Sequence, residues 1–280
     1  MCNIIMYLYL HSNYGSITHY YHFFYGVFIP LILISLDKNN NVFNLIGNIG
    51  PMKRILYELP MTINFISKCD IQLLKINKTK FYDIKPLDSS KTTLKDKEQI
   101  TYKDKIKICD FFEKNIPKYL LSLKFKEIVV IERSIEPLYQ NEDYSKKHKM
   151  LQELGKTSGK ERRYNKNHDE IIELMDKYYK NNYENVILER TSVFYQYLLF
   201  KNAKLIIANH GASLSNIIFM NKNTSVIEII SKLKLYEQKE DLFMNLGKIF
   251  KLKYETIIVE NEINDVDINS LHKTIKKLYK

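Results

Sequence analysis

The sequence predicts an α/β protein made of two doubly wound, Rossmann-like parallel-sheet domains. Three observations carry this. The chain has 280 residues, enough for about two cores. From about Lys126 onward, short β-branched runs alternate with segments of helical period. Such alternation demands parallel pairing, because each helix returns the chain to the same edge of the sheet. The first part repeats the theme less regularly. The boundary falls at residue 125, with residues 1–125 as one domain, 126–280 as the other and a linker near Leu121 to Lys126.

In chain order, "HYYHFFYGVFIPLILISL" reads as a helix running into apolar chain. Its apolar stretch, Phe23 to Leu36, is shorter than the ~18 uninterrupted residues of a membrane span and carries Gly26, Pro30 and Ser35, so a buried core helix is expected. "NVFNLIGNIGPMKRILYELP" reads as strand, Gly-Pro turn and helix. "INFIS" and "DIQLLKI" are strand-like, and Lys91 to Lys107 is a charged loop or helix. In the second domain "KEIVVIERS" is a fully buried strand. "NHDEIIELMDKYYKNN" is an amphipathic helix, with Asn167 or Asp169 available as its cap. Strand "NVILER", helix "SVFYQYLLFKN", strand "KLIIAN", helix "ASLSNIIFMN" and strand "SVIEII" follow. Helix "EQKEDLFMNLGKIF", strand "YETIIV" and a closing helix "DINSLHKTIKKLYK" complete the order. Ser134 to Lys160 interrupts a strand-to-helix connection at a length typical of a functional lid or an insertion.

The formal net charge of +11 suits an anionic ligand: nucleic acid, a membrane surface or a phosphorylated small molecule. The lysines are spread along the chain, as on a solvated surface, and the aromatics sit among apolar neighbours, which argues against a nucleic-acid face. Cys2, Cys69 and Cys109 form no C-x-x-C pair, against a disulfide framework or structural zinc. The triplet Asp265-Val266-Asp267 precedes the closing helix and is expected to cap it rather than bind metal. The N-terminus lacks a signal-peptide pattern. The compartment stays open between cytoplasm and, if an anchor lies upstream, the secretory-pathway lumen; membrane association is equally open.

"AKLIIANHGASLSNIIFM" places Asn209, His210 and Gly211 where an apolar strand ends and a helix begins. In open parallel sheets ligands bind outside the strand carboxyl ends. A helix N-terminus there favours phosphate, and a glycine lets backbone approach it. Ser213 and Ser215 are cap or donor candidates. Ordinary turn-and-cap chemistry is the competing reading. Neither G-x-G-x-x-G nor G-x-S-x-G occurs.

The stretch "QYLLFKNAKLIIANHGASLSNIIFMNKNTSVIEII" resembles the C-terminal signature of glycosyltransferase family 61, which includes plant xylan-decorating transferases and animal O-linked GlcNAc-transferases. The matching positions are Gln196, His210-Gly211-Ala212, Leu214, Asn216, Phe219 and Val226-Ile227-Glu228. "VVIERS" matches at Arg133-Ser134, "RRYNKNHDEI" at Arg163, Asn167 and Glu170, and "HYYHFFYGVFIP" at His22 and Phe23. Two departures stand out: Ser213 replaces a glycine, and Gly26 stands where the family usually has a carboxylate.

The resemblance implies a two-domain GT-B-like fold whose domains face a cleft. It implies inverting transfer from a nucleotide-sugar donor, UDP-linked, to a hydroxyl of a glycan or glycoprotein, without metal, other cofactor or nucleic acid. Arg133, Arg163, His210 and Gly211 are assigned to the diphosphate, with Asn209, Ala212, Ser213 and Asn216 in the same binding set. Glu228, read as ending its strand, is assigned to ribose hydroxyls. His210 is also the catalytic donor, and His22 the candidate base, against a plain buried helix-start histidine. The rival functions are an inactive family member serving as glycan-binding or scaffold subunit, and a basic nucleic-acid-binding protein.

Overall fold

A computed structural model describes residues 6–9, 20–47, 52–66, 81–83, 87–88, 98–133, 163–237 and 242–279. The expected strand "DIQLLKI" and the Ser134 to Lys160 connection lie outside these residues. The chain is mixed α/β with parallel sheets, and it divides into two compact units, Met1–Ile116 and Pro117–Lys280. Residue 125, where the onset of regular alternation placed the boundary, lies inside the second unit. The division falls at Pro117, which cannot continue the helix ending at Asn115.

In the first unit β1 (Met6–Tyr9), β2 (Val42–Ile46), β3 (Thr62–Ile66) and β4 (Phe81–Asp83) form a parallel sheet in the order β3-β2-β1-β4. Two-residue strands β5 (Leu87–Asp88) and β6 (Glu98–Gln99) pair separately. Helix α1 (Tyr20–Lys38) crosses from β1 to β2, and α2 (Lys53–Leu56) precedes β3. The α1 backbone widens to a π-turn over Phe24–Phe28, with Ile29 N–H donating to Phe24 O. Pro30 explains this: it lacks the N–H of a regular helix and clashes with the carbonyl four residues back, and the wider turn relieves both. Phe23 to Ile32 are buried, with Phe24 stacked on Phe28 at 5.2 Å. By length and composition alone α1 also suffices to cross a membrane.

Helix α3 (Tyr102–Asn115) begins inside the stretch read as charged loop or helix. Thr101 and Asp104 form a reciprocal capping box, which fixes its start. Phe112 reaches Phe28 of α1 at 6.2 Å, and Lys107 pairs with Asp37 at 2.7 Å.

The second unit contains β7 (Ile128–Glu132), β8 (Tyr164–Asn165), β9 (Tyr183–Ile187), β10 (Leu205–Asn209), β11 (Ser225–Ser231), β12 (Lys253–Val259) and β13 (Ile263–Asn264). Five of these form one parallel sheet ordered β12-β11-β10-β7-β9, and β8 pairs with β13. Its helices are α4 (His168–Tyr179), α5 (Val193–Asn202), α6 (Lys232–Glu237), α7 (Leu242–Ile249) and α8 (Ile268–Leu278). One sheet face, with Ile128, Leu205, Ile207, Ile227 and Ile229, packs on α4 and α8 through Ile171, Met175, Leu271 and Ile275.

Four local expectations change. The strand read as "NVILER" is Tyr183–Ile187, and Leu188–Arg190 turns as a 3-10 helix. "ASLSNIIFMN" forms a 3-10 helix, Ala212–Phe219, not an α-helix. Its two serines, asparagine and paired β-branched isoleucines all disfavour the α form. Asn167 precedes α4 without capping it. Its side chain instead clamps the backbone of Val266, accepting from the N–H and donating to the carbonyl, both at 2.9 Å. Glu228 does not end its strand but sits mid-way along β11. The closing cap is as expected, with Asp267 accepting from Asn269 and Ser270 N–H.

Candidate functional site

The carboxyl end of β10 delivers Asn209, and the backbone then turns through His210 and Gly211 into the 3-10 helix. The His210 N–H bonds to Ile229 O at 2.7 Å, tying the turn to β11. Leu214 N–H bonds back to Gly211 O at 3.0 Å. The turn is therefore fixed on both sides before any side chain is considered.

Two arginines converge on it. Arg133, one residue past β7, donates from Nη2 to His210 O at 2.9 Å. Arg163, one residue before β8, donates from Nη1 to the same oxygen at 3.0 Å and from Nε to Glu262 at 2.9 Å. A carbonyl has two lone pairs, so it accepts both. Arg163 is buried at 8% exposure, so it is not one of the basic groups on the solvated surface. Both guanidinium groups lie over Gly211, whose φ of +152° favours glycine and whose missing Cβ leaves their space.

The imidazole of His210 is buried against Glu228. Its Nδ1 lies 2.5 Å from Glu228 Oε1, and Glu228 Oε2 accepts from the Tyr254 hydroxyl at 2.9 Å. Phe243 of α7 meets the ring edge-on at 5.4 Å. Glu228 is fully buried, so a carboxylate assigned from the sequence to ribose hydroxyls has both oxygens engaged within the protein. A buried charge must be paired, and here the histidine and tyrosine do so.

Arg163, Asn209 and His210 share a small pocket with Asn165, Lys234 and Glu262. Of the remaining expected residues, Ala212 and Ser213 are half-buried at the start of the 3-10 helix. Asn216, at 1% exposure, turns inward and donates to Gln196 Oε1 at 2.9 Å, which makes it a tie between elements. His22 belongs to the first unit, half-buried in the first turn of α1 and edge-on to Tyr21. Gly26 lies buried in the π-turn of the same helix. The sequence reading missed Tyr254, Phe243, Lys234 and Glu262. Only the position of Tyr254 at a strand start was visible, and nothing there marked it as more than a strand residue.

Parallel α/β units with a cation-lined polar pocket at the strand carboxyl ends are compatible with a glycosyltransferase fold. The family model for Glycosyltransferase 61 matches residues 20–227, well over half of the chain, and the protein belongs to that family. No curated protein matches the chain. Membership makes it a transferase by family, with a sugar donor and a glycan acceptor in general terms.

Proposed function

We propose that the protein is an inverting glycosyltransferase of the GT-B arrangement that moves a sugar from a UDP-linked donor to a hydroxyl of a glycan or glycoprotein. The observation that carries this reading is the convergence of Arg133 and Arg163 on the carbonyl of His210 above Gly211. Two like charges held this close repel each other, and an anion between them relieves that cost. A diphosphate has the geometry for two guanidinium forks.

Departure of the sugar leaves negative charge on the nucleoside diphosphate. Stabilising that charge is the main task of such a site, and arginines aimed at it do so without metal. A protonated His210 adds a donor from Nε2, because Glu228 holds Nδ1. His22 is the proposed base on the acceptor side. Gly26, standing where the family has a carboxylate, favours a second reading: a family member that binds a donor without transferring it.

Calorimetric titration with uridine diphosphate, followed by a turnover screen over UDP-sugars with and without EDTA, tests the proposal. Binding with metal-independent donor turnover is expected. Binding without turnover selects the second reading, and absence of binding removes both.

A further inference from the structure

We infer that Tyr254 is a positioning residue for His210, acting through Glu228, and that helix α7 holds both ends of this relay. The inference rests on the reading of His210 as a donor to the leaving diphosphate. Phe243, Gly247 and Tyr254 all lie beyond the matched segment, which ends at Ile227, next to the signature residue Glu228.

The relay follows from strand register. Tyr254 stands opposite Val226, and Glu228 follows two residues later on the same sheet face. Leu205, Ile207, Ile227 and Ile229 build the core on the other face. Glu228 is thus a carboxylate in a row otherwise apolar, directly beneath the turn that carries His210. Helix α7 closes over this face. A Cβ on Gly247 would lie 2.7 Å from Tyr254 Cδ2, so the tyrosine ring occupies the space that glycine leaves. Phe243, one turn earlier on α7, presses edge-on against the imidazole. The same helix fixes the position of both outer groups.

The chemical consequence concerns where a proton resides. With the Tyr254 hydroxyl donating to Oε2, Glu228 stays ionised and acts as acceptor at Oε1. His210 then keeps its proton on Nδ1, and Nε2 is the atom that takes up and presents a second proton. The resulting imidazolium makes a charge-assisted hydrogen bond, roughly twice as strong as a neutral one. Arg133 and Arg163 at the His210 carbonyl, with Lys234 in the adjoining pocket, oppose this positive charge, and Glu262 on Arg163 offsets part of their effect. Without the tyrosine hydroxyl the carboxylate becomes more basic and competes for the proton on Nδ1. The ring then stays neutral, and its Nε2–H is a weaker donor.

The test is an imidazole ¹⁵N NMR titration of the full chain, with the His210 signals identified by their loss in His210→Gln. Tyr254→Phe removes one hydroxyl and keeps the ring. Gly247→Ala displaces the ring and keeps the hydroxyl, which covers the case of a poorly folded Phe variant. In the parent, Nδ1 stays protonated throughout. In Tyr254→Phe, proton uptake by the pair moves up by roughly one pH unit, the value of one lost hydrogen bond to a buried carboxylate, and Nδ1 turns toward the acceptor form. Gly247→Ala shifts it the same way by less. Identical titrations in all three proteins overturn the relay. Uridine diphosphate binding by the parent is measured in parallel; a parent that binds none overturns the transferase reading and the relay's role in it, whatever the titration does.

Discussion

The Nη2 atom of Arg133 lies 1.9 Å from where a Cβ on residue 211 would stand, so the guanidinium fills the volume that Gly211 leaves empty. The expected reason for this glycine was close approach of backbone to phosphate. The structure supplies a different one: the glycine admits an arginine.

Gly211→Ala is therefore expected to act through Arg133. The methyl group evicts the guanidinium, and the φ of +152° adds strain on the order of 1–3 kcal/mol to the fold. Loss of one charged contact to a diphosphate weakens uridine diphosphate binding roughly tenfold to a hundredfold. Arg133→Ala should weaken it by a similar factor. The double variant should bind like Arg133→Ala alone, since the evicted group is already gone. Calorimetry on the four proteins checks this, and fully additive losses would contradict it.

Asn216 offers the opposite contrast. Its amide donates to Gln196 Oε1, while Gln196 Nε2 donates to Leu188 O and Thr191 O at 3.2 and 3.4 Å. The pair ties the 3-10 helix to α5 and to the turn before it. Asn216→Ala removes the buried glutamine's partner, at a cost of about 1–3 kcal/mol. A lower Tm with unchanged uridine diphosphate affinity is expected. A variant as stable as the parent that binds tenfold more weakly would return Asn216 to the ligand.

The two residues just described show which parts of the molecule the sequence reveals. Alternation of apolar runs and helical periods marks the strands of the five-stranded sheet, most clearly β7, β10 and β11, which are buried on both faces and apolar almost throughout. The turn at His210-Gly211 was legible as a candidate site because polar residues interrupt an apolar run that has no local need of them. What escaped was pairwise. Arg133 over Gly211, Glu228 beneath His210 and Tyr254 against Gly247 join residues far apart in sequence, and no local pattern records such a meeting. β1 escaped for a simpler reason. Four residues, MYLY, are too few to establish a period.

Lys105 gives a stability prediction with a definite sign. It is buried in α3 at 4% exposure, and desolvation lowers its pKa from 10.5 to about 8, with the Cys109 charge opposing. Between pH 8 and 10.5 the unfolded chain holds more protons at this site than the folded one, so stability rises with pH across that window. Below pH 8 the full penalty, on the order of 2–3 kcal/mol, is present. Lys105→Met keeps the length of the side chain and removes the charge. It should raise Tm at pH 7 and flatten the rise between pH 8 and 10.5. Thermal melts at several pH values decide the matter; an unchanged slope would mean that the ammonium finds compensation in the folded state.

His210→Ala bears most directly on the chemistry, but the single variant confounds two effects. Removing a donor to the departing diphosphate typically costs about 3 kcal/mol, or roughly a hundredfold in turnover. The same change takes from Glu228 its partner at Oε1, and leaving a buried carboxylate short of its partner costs about 3–5 kcal/mol of stability. A slow enzyme could then be slow because it is partly unfolded. Removing the whole relay, with His210→Ala, Glu228→Leu and Tyr254→Phe together, separates the two, because replacing a buried charged group and its partners by apolar side chains is often close to neutral for stability. The triple variant is expected to melt near the parent and remain about a hundredfold slow on a UDP-sugar that the parent turns over. If turnover returns along with stability, His210 and Glu228 form a structural pair, and the arginines above Gly211 act on the diphosphate without the imidazole.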